Sequence, residues 1–329
     1  MAFELSADSL GFDSSQNPLT EALKEYFIWP LLAIVYLSMS ALFPQVWGVR
    51  IVNQVIISSV DLVVLAIGIT FVMAAAEIDL SIVGTMGVAP FVATWFIKSL
   101  GVPFIVAVGI GLPLVAAAIG LMNAYLVNKL EIDSLIATLG TYFLLIGLLF
   151  VFTQGATISG FGEAYTFIGN ETVGGVSLIL VAILVIAVGA HVVLTRLPFG
   201  QDLLLTGGNE DSASRAGINT EKVRRNAFII CAVLSALAGF LLSSRLAIIS
   251  STFGQGRLLP AIAAPILGGI RLTGGQASIH QAVGGALLLQ MIDTCLTIAG
   301  VSGYNVRLFT GVLVLFAIIL GGLRTYKTD

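Results

Sequence analysis

The sequence predicts an all-α fold: a polytopic membrane helix bundle of about ten transmembrane helices, short or broken segments included. Two features of composition and one of pattern carry that expectation. Hydrophobic residues fill 57% of the 329 positions and charged residues only 10%, and the mean hydropathy is +1.04. A soluble domain carries about 25% charged residues; without them this chain has no wet surface to present, so its surface faces lipid. The pattern is a succession of apolar runs close to the length of about 20 residues that crosses a bilayer.

Residues 1–25 are polar and acidic, with Glu4, Asp8, Asp13, Glu21 and Glu25. A secretory leader would open with positive charge and an apolar stretch, so this segment reads as a tail ahead of a membrane domain over 26–329. Leu19, Leu23, Tyr26 and Phe27 recur at helical spacing, which leaves a second reading open, an amphipathic helix on the membrane surface. Clear spans are expected at 27–44, 55–76, 102–127, 134–153, 174–194, 227–246, 278–300 and 305–323. Two shorter stretches, 82–97 and 258–270, are rich in Gly, Ala and Pro and are expected as short or broken spans. Such pieces persist in a membrane only where protein or a water-filled cavity satisfies their backbone.

Basic residues favour cytoplasmic loops. With ten spans and both termini inside, Lys24, Lys129, Arg196, Arg215, Lys222, Arg224, Arg225, Arg271, Arg324 and Lys327 fall on the inner side. Arg50, Lys98, Arg245, Arg257 and Arg307 fall on the outer side. The ten-to-five bias favours cytoplasmic N- and C-termini. The net charge of −3, with no run of Lys and Arg, gives no footprint for nucleic acid. Cys231 and Cys295 lie within apolar runs, and His191 and His280 fit no zinc spacing, so no metal site is expected.

The longest hydrophilic connection within the membrane domain is 195–226. Asn209 suits an N-cap, Glu210 and Asp211 lie in a first turn where the helix dipole favours acids, and Arg215 lies in the last turn. Gly217 then stands where a left-handed residue closes a helix. So short a helix is unstable alone in water. Two readings stand on physical grounds: a loop helix resting on the bundle, or a docking element for a cytoplasmic motor subunit.

Several motifs in register now bear on that choice. Thr195, Phe199, Gly200, Gly207, Gly208, Asn209, Ala213, Gly217 and Ile218 match the pattern T-x-x-G-R … G-G-N-x-x-A-A-x-x-G-I. Ile78-Asp79-Leu80-Ser81, Asn123, Thr138-Leu139-Gly140-Thr141, Ala238-Gly239 with Arg245, and Ala261-Ile262-Ala263-Ala264 before Gly268-Gly269 and Gly274-Gly275 continue it. From about residue 55 to the C-terminus the chain resembles the permease subunits of ribose-type ATP-binding cassette importers, in the branched-chain amino acid/ribose permease superfamily. It departs from that pattern at Glu77 in place of Gly, at Leu258-Leu259-Pro260 in place of E-L-D, at Asp133-Ser134 in place of P-F, and at Thr294-Cys295-Leu296 in place of N-G-L.

The resemblance implies one half of a transport path in a bacterial inner membrane, carrying a sugar, sugar alcohol or related polar solute. It implies a second permease subunit, identical or related, an external solute-binding protein, and a cytoplasmic ATPase that holds the ATP and Mg. This chain would hold no cofactor, and it has no phosphate-binding G-x-x-x-x-G-K-[ST] loop. It would be a transport subunit and not an enzyme. Gly208, Asn209, Glu210, Asp211, Ser212, Ala213, Arg215 and Gly217 would form the coupling helix.

Ionisable groups inside spans cost about 2.5–3.5 kcal/mol on insertion scales and tend to face a cavity or a partner. Asp61, Glu77, Asp79 and Asp293 are of this kind. Asp61 either snorkels to the outer surface or faces inward; Glu77 and Asp79 suit a cap on the following helix; Asp293 suits pairing with Arg307 or a helix end. Asn123, Thr138 and Gln290 suit hydrogen bonds between helices. Asp79, Ser81, Asn123, Thr138 and Asp293 are the candidate lining of the path. The alternatives are a nucleoside importer of the same family and an ion-coupled secondary transporter, which would use the intramembrane acids.

Overall fold

The computed structural model describes residues 25–326; Lys24, Lys327 and the tail up to residue 24, with Leu19 and Leu23 of the amphipathic alternative, lie outside them. Fourteen helices follow in order among the described residues. They are α1 (Ile28–Leu42), α2 (Val49–Ser58), α3 (Val60–Ala74), α4 (Ile82–Leu100), α5 (Phe104–Asn128), α6 (Ser134–Thr153) and α7 (Glu163–Asn170). There follow α8 (Leu178–Arg196), α9 (Pro198–Gly208), α10 (Glu210–Arg215), α11 (Thr220–Leu246), α12 (Leu258–Gly268), α13 (Ile279–Ile298) and α14 (Gly303–Tyr326). Strand pairs are confined to loops: β1 (Ile158–Ser159) with β4 (Ile248–Ile249), and β2 (Thr172–Val173) with β3 (Val176–Ser177).

Among the described residues, six helices, α4, α5, α6, α8, α11 and α13, are long and apolar enough to cross a membrane, and α2 with α3, bent by 51° at their junction, makes a seventh if the pair is one span. The chain is a multi-pass membrane protein. The expected span 55–76 is therefore two helices. The expected short span 82–97 is a full helix of 19 residues with Pro90 inside it. Its Gly, Ala and Pro content reflects packing against neighbours, because small side chains let helices approach closely in lipid.

α12 is the short piece the sequence suggests. At its start, Arg257 pairs with Asp61 at the head of α3. Beyond its end, Gly275 N donates to Ala74 O at the foot of α3, 3.1 Å. Residues 257–275 thus run alongside α3 in the same direction and change ends of the bundle, so α13 returns and α14 runs back. α1 likewise lies along α13, with the Tyr26 and His280 rings stacked 4.8 Å apart near one end.

α3 is the axis. Every one of its 15 residues is buried, and it is apolar on all sides, as a helix enclosed by others should be. α11, 27 residues long, packs on α3, α4 and α5 at three glycines. A Cβ on Gly68 would stand 3.3 Å from Cys231 O, and one on Gly120 would stand 2.8 Å from Ile229 Cα. One on Gly239 would overlap Met86 O. Adding a methyl group at such a crossing forces backbone shifts that cost about 1–3 kcal/mol. Gly239→Ala is therefore expected to lower the thermal midpoint in detergent, whereas Gly140→Ala, which meets nothing within 4 Å, should leave it unchanged.

Candidate functional site

Three polar assemblies hold the α9–α10 connection, the α3–α4 break and the buried acid Asp61. The first is the connection α9–α10. Asn209 caps α10 by accepting from Ser212 N, 2.8 Å, and Ile218 N donates to Ala213 O, 3.1 Å, across Gly217, whose φ is +88°. The helix is thus closed at both ends as its residues require. Ala213 points inward and is buried, while Gly208, Asn209, Glu210, Asp211, Ser212 and Arg215 are exposed.

What braces α10 is a cation on the next helix. Arg224 in α11 reaches Glu210 with both terminal nitrogens, Nη2–Oε1 2.8 Å and Nη1–Oε2 3.2 Å, and its Nη1 lies 3.4 Å from Glu77 Oε1. Behind α10, Gly207 lies so close to Ala74 O that a Cβ there would overlap it. Gly274 and Gly275, at φ +78° and +72°, complete that crossing. The α10 end of the bundle is therefore one connected layer of α9, the foot of α3, the 274–275 turn and the first turns of α11.

The second assembly fills the break between α3 and α4. Here the backbone leaves the helix, and its N–H groups need partners that lipid cannot supply. Side chains of other helices supply them. Ser134 Oγ accepts from Ile78 N, 3.2 Å, and Thr138 Oγ1 accepts from Leu80 N, 3.0 Å. Asp79 Oδ1 accepts from Ser81 N, 2.8 Å, and from Ser81 Oγ, 2.6 Å. Asn123 Nδ2 of α5 donates to Ser81 Oγ, 2.8 Å. Asp79 binds Ser81, the residue ahead of α4, and no side chain caps the N–H groups of α4 itself; Asn123 and Thr138 join helices.

Asp79, Ser81, Asn123 and Thr138 are thus brought together, all four fully buried. Asp293 stands apart on α13, half-buried. No ion pair joins it to Arg307, which is exposed. Its neighbours along α13, Gln290 and Thr294, belong to the third assembly.

That assembly lies toward the opposite end. Asp61, wholly buried, does not snorkel: Arg257 Nε contacts its Oδ2 at 2.5 Å. Arg257 Nη1 also donates to Gln290 Oε1, 3.1 Å, and Gln290 donates to Thr294 Oγ1, 3.1 Å. Arg245 sits beside them, donating to Ile57 O, 3.2 Å, and Ser58 Oγ, 3.3 Å, at the bend between α2 and α3. Arg224 and Arg257, the cations that organise two of the assemblies, read in sequence only as loop charges. The one hint was that each falls in a chain with few charges, where buried acids need partners.

The match to known proteins bears on all three. Residues 51–318 match the family described as the branched-chain amino acid transport system / permease component. The chain belongs to this permease family. The autoinducer 2 import system permease protein LsrC of Salmonella typhi is 32% identical over 295 residues, covering 89% of this chain and 84% of that protein. The ribose import permease protein RbsC of Haemophilus influenzae is 30% identical, covering 88% and 90%, and that of Escherichia coli K12 is 30% identical, covering 88% and 91%. No solved structure matches it. All three assemblies fall within the family-matched residues.

Removing one partner of a buried ion pair costs about 3–5 kcal/mol. Asp61 is fully enclosed and Arg257 is 28% exposed, so the acid suffers more when left alone. Arg257→Gln is expected to reduce folded yield and thermal midpoint more than Asp61→Asn, and the double variant should recover part of the loss. At the other end, Arg224→Gln strands two acids and should speed hydrogen exchange over 209–218, whereas Glu77→Gln should leave it close to wild type.

Proposed function

We propose that this permease component forms half of the membrane path of an ATP-driven, binding-protein-dependent importer for a sugar or related polar solute. The observation that carries the reading is α10: a short, doubly capped helix with an exposed acidic first turn, braced from behind by Arg224 and by the glycine crossing at Gly207. A six-residue helix has too little surface to be stable by itself, and here a half-buried arginine of the bundle holds it in place. In this reading α10 is the coupling helix. Gly208, Asn209, Glu210, Asp211, Ser212 and Arg215 meet a partner ATPase, which binds ATP and Mg, while Ala213 and Gly217 shape the helix.

The α10 end is then cytoplasmic, with both termini on that side, and the Asp61–Arg257 end faces the solute-binding protein. This agrees with the excess of basic residues at the α10 end. A push on α10 reaches the foot of α3 through Gly207 and Ala74, and the α3–α4 break through Arg224 and Glu77. Asp79, Ser81, Asn123 and Thr138 hold that break together and act on the path by positioning it. Asp293, half-buried and without an ion pair among the described residues, is the acid of the candidate lining placed to meet solute. A second permease copy, identical or related, completes the path in the inner membrane. The relatives named for ribose and autoinducer 2 favour a sugar or sugar-related solute over a nucleoside.

The test is co-purification from native membranes in mild detergent. Wild type should bring an ATPase with it, and Glu210→Lys with Asp211→Lys should cut the amount recovered by about tenfold or more, with the permease still monodisperse. Transport in sealed vesicles without ATP, sustained by an ion gradient, would sink the importer reading. Asp293→Asn should lower solute uptake while leaving the thermal midpoint in place; Asp79→Asn should lower both together.

A further inference from the structure

A cavity of about 380 Å³ opens between α5 and α11 at the α10 end of the bundle, outside the three assemblies described above. Its shape follows from two pins. At one, Gly120 lets the helices touch, since a Cβ there would stand 2.8 Å from Ile229 Cα. At the other, Lys129 Nζ meets Glu221 Oε2 at 2.6 Å and Asn128 Nδ2 donates to Glu221 O at 2.9 Å.

The lining is divided by chemistry. Toward the helix ends it carries Lys129, Lys222 and Arg225 against the one acid Glu221. Lys129 is already paired; Lys222 and Arg225 form no ion pair among the described residues, and Arg225 reaches only the amide oxygen of Asn226. Toward the bundle centre the lining is apolar, and Leu121 and Tyr125 of α5 are 46% and 57% exposed. Asn128 Oδ1 is buried without a donor.

From this arrangement we infer that the α5–α11 cavity binds an anionic phospholipid, with its phosphate at Lys222 and Arg225 and its acyl chains along Leu121 and Tyr125. A free anion would use the basic half and leave the apolar half bare; an apolar molecule would do the reverse. A lipid of this class uses both, and basic pockets between helices near the headgroup level suit it. A tyrosine at the end of a span is also at home at that depth. Bound there, the lipid ties α5 to the first turns of α11, the stretch that carries Arg224 and so supports α10.

The test uses the full-length permease, delipidated in detergent, with phosphatidylglycerol or phosphatidylcholine added and adducts counted by native mass spectrometry. Phosphatidylglycerol is expected to bind in preference. Lys222→Gln with Arg225→Gln should weaken it by roughly tenfold or more, and Lys222→Arg with Arg225→Lys should keep it. Should the double glutamine variant fail to fold, each single variant carries the same comparison. Equal phosphatidylglycerol binding by wild type and the glutamine variants would overturn the inference. So would thermal stabilisation by inorganic phosphate alone as large as that by the lipid, which would mark an anion site and not a lipid site.

Discussion

The break between α3 and α4 leaves enclosed backbone N–H groups without helical partners, and the architecture around it answers that need. Ser134 and Thr138 come from α6, Asn123 from α5, and Asp79 and Ser81 from the break itself. An unpaired buried donor costs about 1–3 kcal/mol, so each of these side chains fixes a neighbouring helix as firmly as it satisfies the turn. The fully enclosed α3 on one side and the snug α4 on the other follow from that arrangement. The same break carries Glu77, through which Arg224 ties it to α10.

Charge is used sparingly, and two arginines are used alike. Arg224 and Arg257 each stand between elements distant in sequence, and each faces an acid that the fold has enclosed to some degree. A guanidinium suits this role because its planar fork reaches two partners at once: Glu77 and Glu210 for Arg224, Asp61 and Gln290 for Arg257. Such pairs add little net stability once desolvation is counted; what they supply here is registry, fixing α12 along α3 and α10 against α11. The glycine crossings provide the complementary contacts, where backbone meets backbone and no side chain has room.

Much of the fold was legible in the sequence, for reasons that are local. The length of apolar runs marks the spans, and Asn209, Glu210 and Gly217 mark a capped helix, since caps are settled by a few neighbouring residues. The ordered motifs from Ile78-Asp79-Leu80-Ser81 onward gave the family. The segment 82–97 was less legible: its small residues suit equally a broken helix and a straight helix buried among others, and only the presence of α5, α6 and α11 around it decides. Composition also hid the bend between α2 and α3, because a turn of 51° at Ser59 leaves the apolar run unbroken.

The sequence by itself determined that this chain lives in a membrane, that it crosses many times, that it carries a capped polar helix between α9 and α11, and that it belongs with permeases. These are properties of composition, period and short motifs, and no distant contact alters them. The tertiary structure alone decided which polar residues meet. Asp61 finds Arg257 across 196 positions and Glu77 finds Arg224 across 147. Asp79, Asn123 and Thr138 converge from three segments. Partnership of that kind depends on how helices cross in three dimensions, and an acid in an apolar run looks the same in sequence whether it faces solute, lipid headgroups or an arginine of another helix.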